Sequence, residues 1–162
     1  MNRVALLIGG NQGDRRRLIE QATVLIQERI GTVAALSSLY ETEPWGDFET
    51  EGGERKPENF LNQALLVDTS LNAHEILCEA LSIEAALGRV RPITAHPRKY
   101  HSRPMDIDLI FFNDEVIDTP DLTIPHPRMH LRRFVLEPLA EIMPDYRHPL
   151  LKKTVKEMLH EV

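Results

Sequence analysis

Two aspartates, two positions apart, are the side chains of this sequence best suited to chemistry. Asp106 and Asp108 open an otherwise apolar run that is typical of a buried strand. Because side chains alternate between the two faces of a strand, both carboxylates are predicted on one face, with Ile107, Leu109 and Phe111 on the other. This spacing places the carboxylates about 7 Å apart.

Two explanations account for such a pair at the edge of a hydrophobic core. The charges repel each other and lose hydration unless a cation or an arginine lies between them. Paired oxygen ligands suit Mg²⁺, which keeps some of its waters and commonly also binds substrate phosphates. A strand that begins with two solvated acids, bound to loop amides, explains the same pattern without a metal. The Asp-x-Asp spacing alone does not separate these explanations.

A basic stretch leads directly into the two aspartates. Residues 89–103 carry five Lys and Arg side chains and no acid. Such a run is usually a solvated loop, but two prolines limit its freedom and arginine's planar fork suits phosphate oxygens. Its position beside the carboxylates favours a local phosphate site.

An amide in a third segment adds a possible recognition group. Residues 60–67 are predicted to form a strand, and Asn62 stands among its apolar side chains. A buried amide needs hydrogen-bond partners. Asn62 is therefore expected either to bind neighbouring backbone or to recognise the donors and acceptors of a ligand.

Composition narrows the class of protein. The 162 residues carry a net charge of −6 and 42% hydrophobic side chains, as expected for one domain spanning 1–162. The acidic balance argues against general nucleic-acid binding. No apolar run approaches the length of a membrane helix, and the start lacks the apolar region of a cleavable signal. We therefore expect a cytoplasmic monomer with no membrane or nucleic-acid partner. The sequence has a single cysteine, Cys78, so an internal disulfide is excluded.

The hydrophobic pattern predicts an α+β fold. The predicted elements, in chain order, are strand 3–8, helix 15–29 capped by Asp14, strand 32–40, strand 60–67, a helix capped by Ser70 or Asn72 and ending near 87, strand 106–112, a short segment 116–117, a loop at 122–127, a helical segment 129–142 with a kink or boundary at Pro138, and helix 151–162. This order is that of a ferredoxin-like split βαβ sandwich with C-terminal additions. The acidic stretch 47–58 and the basic stretch are predicted to be long active-site loops over one end of the sheet.

Several motifs together resemble one known family, the 6-hydroxymethyl-7,8-dihydropterin pyrophosphokinases. The most specific is Arg103-Pro-Met-Asp106-Ile-Asp108, in which an arginine precedes the Asp-hydrophobic-Asp strand. The others, in order, are Gly-Gly-Asn11, Tyr40-Glu-Thr42-Glu-Pro44-Trp45-Gly46, Phe60-Leu-Asn62, Glu84 with Gly88-Arg89-Val90-Arg91, and Pro125-His126 followed by Arg132 and Phe134. The resemblance covers nearly the whole chain.

The resemblance implies an enzyme that moves the diphosphate of ATP to a pterin alcohol in folate biosynthesis. It implies two Mg²⁺ ions on Asp106 and Asp108, with catalytic roles for these aspartates, Arg91 and Arg103. The implied pterin contacts are Thr42, Pro44, Trp45, Phe60, Asn62 and Phe134. The implied nucleotide contacts are Glu84, Arg89, Arg91, Arg103, Ile107, Thr123, His126 and Arg132.

Two other functions remain compatible with the residues. A metal-dependent nucleotidyl transferase could use the same aspartate pair but would release pyrophosphate in place of AMP. A non-enzymatic ferredoxin-like module could grip RNA phosphates through the basic stretch, although the acidic net charge speaks against it.

Overall fold

An antiparallel sheet with helices on both faces positions the two aspartates. The computed structural model describes residues 1–43, 59–88 and 104–162, together with the backbone at 48–49 and 100–101. Its elements, in chain order, are β1 (Asn2–Gly10), α1 (Arg15–Arg29), β2 (Thr32–Leu36), β3 (Tyr40–Thr42), β4 (Phe48–Glu49), β5 (Phe60–Thr69), α2 (Ala73–Ala86), β6 (Tyr100–His101), β7 (Asp106–Phe112), β8 (Ile117–Thr119), β9 (Leu122–Ile124), a short 3-10 helix (Met129–Leu131), α3 (Arg133–Ile142) and α4 (Val155–Glu161).

The main sheet has the strand order β2-β5-β1-β7, with β3 also paired to β5. Its pairings are all antiparallel. β4 and β6 form a separate parallel pair, which joins a part of the acidic stretch to a part of the basic stretch. The mixture of helices with an antiparallel sheet is the predicted α+β class.

The sheet separates two hydrophobic cores. On one face, β1, β5 and β7 pack against α1 and α2 through a set of fully buried side chains that includes Leu6, Ile8, Ile26, Leu65, Ile76 and Ile83. On the other face, the sheet packs against α3 and α4 through Leu7, Ala64, Leu136, Leu139 and Met158. Of the helices that the structure describes, none combines the length and apolar character needed to cross a membrane.

Capping side chains mark the N-terminal starts of the first two helices. The Asp14 side chain accepts a hydrogen bond from the amide of Arg17 and starts α1, as predicted. Asn72 starts α2 with a capping box, in which its side chain accepts from the amide of Glu75 while the Glu75 carboxylate accepts from the amide of Asn72.

The predicted strand 32–40 is interrupted. β2 ends at Leu36 and β3 begins at Tyr40. Between them, the buried Ser37 hydroxyl accepts a hydrogen bond from the amide of Ala64 and donates one to the carbonyl of Ser38. This side chain takes over a backbone partner of β5 and breaks the regular ladder.

The prediction for Phe111 was wrong. It packs with Leu7 and Leu136 in the α3/α4 core, while Phe112 belongs to the α1/α2 core. The pairing of β7 with β1 shifts register between Ala5 and Leu6, and an extra residue in one strand reverses the faces of the side chains that follow.

Three boundaries near the C-terminus also differ from the predictions. Residues 122–124, predicted as loop, form β9 and pair with β8, because Leu122 and Ile124 alternate inward. Pro138, predicted as a kink or a boundary, does not end the helix but lies inside α3, and the boundary in the predicted segment 129–142 comes earlier, at Arg132. The last helix begins after Thr154, whose capping box with Glu157 starts α4 later than the apolar spacing predicted.

Candidate active site

A row of directly paired residues crosses four strands at one end of the sheet. Tyr40 on β3 pairs with Asn62 on β5, Asn62 pairs with Gly9 on β1, and Gly9 pairs with Asp106 on β7. Directly paired residues present their side chains on the same face. Asn62 and Asp106 therefore share the face covered by α3 and α4, about 10 Å apart across the intervening strand.

The centre of this row admits no side chain. A Cβ at Gly9 would lie 2.3 Å from Oδ1 of Asn62 and 2.4 Å from the carbonyl oxygen of Leu61. Only glycine allows β1 and β5 to approach so closely here. The sequence analysis gave Gly9 no role of its own, yet a glycine inside a strand pattern is the signal for such an approach.

The two aspartates follow the predicted alternation. Asp106 pairs with Gly9 and Asp108 pairs with Leu7, so both point to the α3/α4 face, and both are partly buried. Carboxylate oxygens on one face of one strand are the donors that Mg²⁺ prefers, so the donor set fits that ion. Within 1–43, 59–88 and 104–162, no group of three or more potential His, Cys, Asp or Glu ligands is assembled.

Glu84 binds the backbone between the two aspartates. Its Oε2 atom accepts a 2.7 Å hydrogen bond from the amide of Ile107, and the Glu84 side chain is only 3% exposed. The Ile107 side chain faces the α1/α2 core, opposite the aspartates. The contact fixes the start of β7 against α2.

His126 lies in the electrostatic field of the same site. Its backbone amide donates to the carbonyl of Ile110 on β7, at 3.1 Å. Burial lowers the pKa of His126 to about 4, and the nearby positive charges of Arg132 and Arg128 act in the same direction. The negative charge of Asp106 opposes them. His126 is therefore neutral at neutral pH, and the sequence analysis did not single out its neighbour Arg128.

The start of α3 supplies an aromatic ring and a cation. The Arg132 guanidinium carbon lies 5.8 Å from the centroid of the Phe134 ring, within the range of a cation–π contact. Phe134 packs against the α3/α4 core and stays partly exposed. The positive charge of Arg132 lowers the pKa of His126, on which Asp106 also acts.

Asn62 has a side-chain partner on β3. Its Nδ2 atom donates to Oγ1 of Thr42 at 3.2 Å, and Asn62 is 6% exposed. Thr42 pairs with the partly buried Phe60, so these three residues share one face. The hydrogen bond holds the side-chain amide of Asn62 against β3.

The remaining predicted site residues either lie outside the main sheet, on β9, or fall outside the described part of the chain. Thr123 is exposed on β9 and pairs with Asp118. The residues outside the described ranges are Pro44, Trp45, Arg89, Arg91 and Arg103.

Comparison with known proteins gives one consistent family. Residues 5–144 match the family model described as 7,8-dihydro-6-hydroxymethylpterin-pyrophosphokinase. The chain is 42% identical over 144 residues to a 2-amino-4-hydroxy-6-hydroxymethyldihydropteridine pyrophosphokinase of Bacillus subtilis, covering 88% of this chain and 79% of that protein. It is 37% identical over 161 residues to the protein of the same name from Aquifex aeolicus, covering 99% and 92% of the two chains.

Solved structures show the same fold in longer proteins. An HPPK–DHPS crystal structure in complex with substrates matches 99% of this chain with a TM-score of 0.75 at 15% identity. A Plasmodium falciparum HPPK–DHPS structure matches 99% of this chain with a TM-score of 0.72 at 18% identity. The chain spans 45% and 43% of these two proteins, respectively.

Proposed function

This chain belongs to the 7,8-dihydro-6-hydroxymethylpterin-pyrophosphokinase family, and from that premise we propose that it transfers the diphosphate of ATP to the hydroxymethyl group of 6-hydroxymethyl-7,8-dihydropterin. The products are AMP and the pterin diphosphate, in a step of folate biosynthesis. The observation that carries the proposal is the row in which Asn62, suited to a polar heterocycle, and Asp106, suited to a metal-bound phosphate, share one face about 10 Å apart.

Asp106 and Asp108 are the proposed Mg²⁺ ligands, for two ions per site. A carboxylate pair leaves coordination positions for phosphate oxygens and water, as is usual for Mg²⁺. The bound ions would supply charge neutralisation along the triphosphate. Without that counter-charge, two carboxylates on one strand face would repel an anionic substrate.

The proposed pterin site lies on β3, β5 and α3. Asn62 reads the donors and acceptors of the ring edge, with its amide oriented by Thr42. Phe60 and Phe134 are the proposed stacking partners, and offset stacking contributes on the order of 0.5–1.5 kcal/mol beyond the area buried. Pro44 and Trp45 are assigned to the same site by the family resemblance.

The proposed nucleotide site combines charge with neutral hydrogen-bonding groups. Arg132 supplies a fixed positive charge for phosphate, whereas His126, with a pKa of about 4, supplies a neutral imidazole that can donate a hydrogen bond. Glu84 shapes the pocket by holding the start of β7. The family resemblance adds Ile107 and Thr123, and Arg89, Arg91 and Arg103 from the basic stretch.

The proposed chemistry is in-line attack of the pterin hydroxyl on the β-phosphorus of ATP, with AMP as the leaving group. A loose transition state of this kind needs little help from a general base. The work of the chain is then to hold the two substrates in line and to surround the phosphates with fixed positive groups.

We further propose that residues 1–162 form a single domain of the ferredoxin-like split βαβ type with C-terminal additions. The order β1, α1, β2/β3, β5, α2, β7 and the shared sheet between the two cores support this assignment. A monomer that acts in the cytoplasm, where ATP is available, is the proposed working form, with ATP and the pterin as its partners.

Product analysis tests the proposed function directly. The chain is incubated with ATP, Mg²⁺ and 6-hydroxymethyl-7,8-dihydropterin, and the adenine and phosphate products are identified. We expect AMP and the pterin diphosphate in equal amounts. Release of pyrophosphate, with AMP attached to the acceptor, would identify a nucleotidyl transferase and contradict the proposal. The Asp106→Ala variant serves as the background control.

A further inference from the structure

Glu141, near the end of α3, accepts hydrogen bonds from the segment that leads into β3. Its Oε1 atom accepts from the Tyr40 hydroxyl at 2.7 Å. Its Oε2 atom accepts from the Ser38 amide at 2.8 Å and from the Ser38 hydroxyl at 3.2 Å. One carboxylate therefore ties α3 to the start of β3.

β3 is a short strand whose position rests on few contacts, which include the ion pair of Glu41 with Arg15. It has three residues, and within the described part of the chain its one partner strand is β5, through Tyr40 with Asn62, Glu41 with Leu61, and Thr42 with Phe60. A strand this short has few ladder hydrogen bonds to hold it in register. Its connection to α3 through Glu141 adds a support from outside the sheet.

The two connected elements carry the two halves of the proposed pterin site. β3 carries Thr42, which orients the amide of Asn62 through the 3.2 Å hydrogen bond. α3 carries Phe134 at its opposite end, two turns before Glu141. A shift of β3 relative to α3 would change both the orientation of the amide and its distance from the ring.

We propose that Tyr40 and Glu141 form a positioning pair that sets Asn62 and Phe134 at the separation required for the pterin ring. The identity of the ligand rests on the proposed function. Both residues are proposed as positioning residues: Glu141 acts through the Tyr40 hydroxyl, and Tyr40 acts through its pairing with Asn62.

The ionisation of the two groups suits a permanent contact. The hydrogen bond to Glu141 raises the pKa of Tyr40 to about 12, and the same bond lowers the pKa of Glu141. The phenol stays protonated and the carboxylate stays ionised across the neutral range. The contact is then independent of pH in that range.

Tyr40→Phe removes the hydroxyl and leaves the ring in place. Because the contact is a charge-assisted hydrogen bond at an exposed carboxylate, we expect the KM for the pterin to rise about threefold to tenfold. We expect kcat and the KM for ATP to stay within about twofold. Glu141→Ala should show the same split, and the double variant should be little worse than Glu141→Ala, since both changes remove one contact.

Two matched controls separate positioning from general stability. Tyr146→Phe removes another tyrosine hydroxyl on the α3/α4 face, one that donates to the carbonyl of Asn113. Glu137→Gln removes a carboxylate one turn earlier on α3, where it pairs with Arg133. Neither control should change the KM for the pterin. An equal rise of that KM in Tyr40→Phe and in Tyr146→Phe would overturn the positioning pair.

Hydrogen exchange of the β3 amides tests the contact without any substrate. In Tyr40→Phe we expect residues 40–42 to exchange faster than in the wild type, and in Tyr146→Phe we expect no change there. Unchanged exchange in Tyr40→Phe would overturn the pair, and so would faster exchange with an unchanged KM for the pterin. Failure of the wild type to form AMP would count against the proposed function alone, and the pair would then be judged by the exchange rates.

Discussion

The backbone amide of Ile107 donates a 2.7 Å hydrogen bond to Oε2 of Glu84, so a buried carboxylate on α2 holds the residue between the two aspartates. The carboxylate belongs to α2 and the amide belongs to β7, so the hydrogen bond joins two separate elements. The geometry of the aspartate pair therefore depends on a helix that packs on the other face of the sheet.

We expect Glu84→Ala to lower the free energy of unfolding by about 2 kcal/mol, because a buried amide loses its acceptor. Glu84→Gln keeps a carbonyl oxygen for Ile107 and should cost less. Urea unfolding monitored by circular dichroism gives both values. Glu79→Ala, a change of the same type on the same helix, is the control. Equal stability of Glu84→Ala and the wild type would show that the contact does not support β7.

The aspartate pair should be required for turnover and dispensable for folding. We expect Asp106→Ala and Asp108→Ala each to lower kcat about 100-fold or more, because the proposed metal loses a ligand. Relief of repulsion between two partly buried acids should leave the melting temperature unchanged or raise it. Steady-state kinetics and thermal unfolding, with the exposed Asp114→Ala as control, measure both effects. Wild-type turnover in either variant would remove the metal assignment.

Replacement of Asn62 should weaken binding of the pterin much more than binding of ATP. We expect Asn62→Ala to weaken binding of the pterin by about tenfold or more, because the ring edge loses a polar partner. Binding of ATP should change by less than about twofold, since the amide lies on β5 and about 10 Å from Asp106. Calorimetric titration with each ligand measures this, and Gln63→Ala, whose side chain donates to the carbonyl of Ser37, is the control. Equal losses for both ligands would contradict the assignment.

The buried His148 should make the protein less stable in acid. Burial, with a smaller contribution from His130, lowers the pKa of His148 from 6.5. Its Nδ1 atom accepts from the amides of Leu150 and Leu151, which requires a neutral ring. The unfolded chain therefore binds this proton first as pH falls below about 6.5, and stability is lost from there down through the lowered pKa.

The His148→Asn variant measures how much the protonation of His148 contributes to the loss of stability in acid. In His148→Asn, an amide oxygen can replace the acceptor but cannot titrate. We expect the wild type to lose more free energy of unfolding than the variant between pH 7.5 and pH 5.5. Parallel urea titrations at the two pH values measure the difference. Identical losses would show that His148 does not contribute to the acid sensitivity.

Features encoded by neighbouring residues could be predicted from the sequence. The Asp14 cap, the alternation of Asp106 and Asp108, and the apolar stripes of α1 and α2 depend on contacts within a few positions, and the structure has each of them. Family motifs added the remaining site residues. Those that fall outside the described ranges, and the substrate role of each site residue, stay predictions.

Features that depend on distant partners could not be predicted in this way. The face of Phe111 is set by the register of β7 against β1, and no pattern inside β7 indicates the shift. Glu141 and Tyr40 lie 101 positions apart, and only the packed sheet brings them together. The need for glycine at position 9 likewise arises from the approach of β5.

β7 ends the strand order of the sheet, so within the described residues one of its sides has no strand beside it. An apolar strand with unsatisfied backbone groups is a template on which a second molecule can pair and aggregate. Here the amide of Ile107 is bound by Glu84, and the carbonyl of Ile110 accepts from the amide of His126. Two groups assigned to the proposed nucleotide pocket, Glu84 and His126, thus also occupy backbone groups of β7, so the same contacts that build the pocket leave fewer of them open to a second molecule.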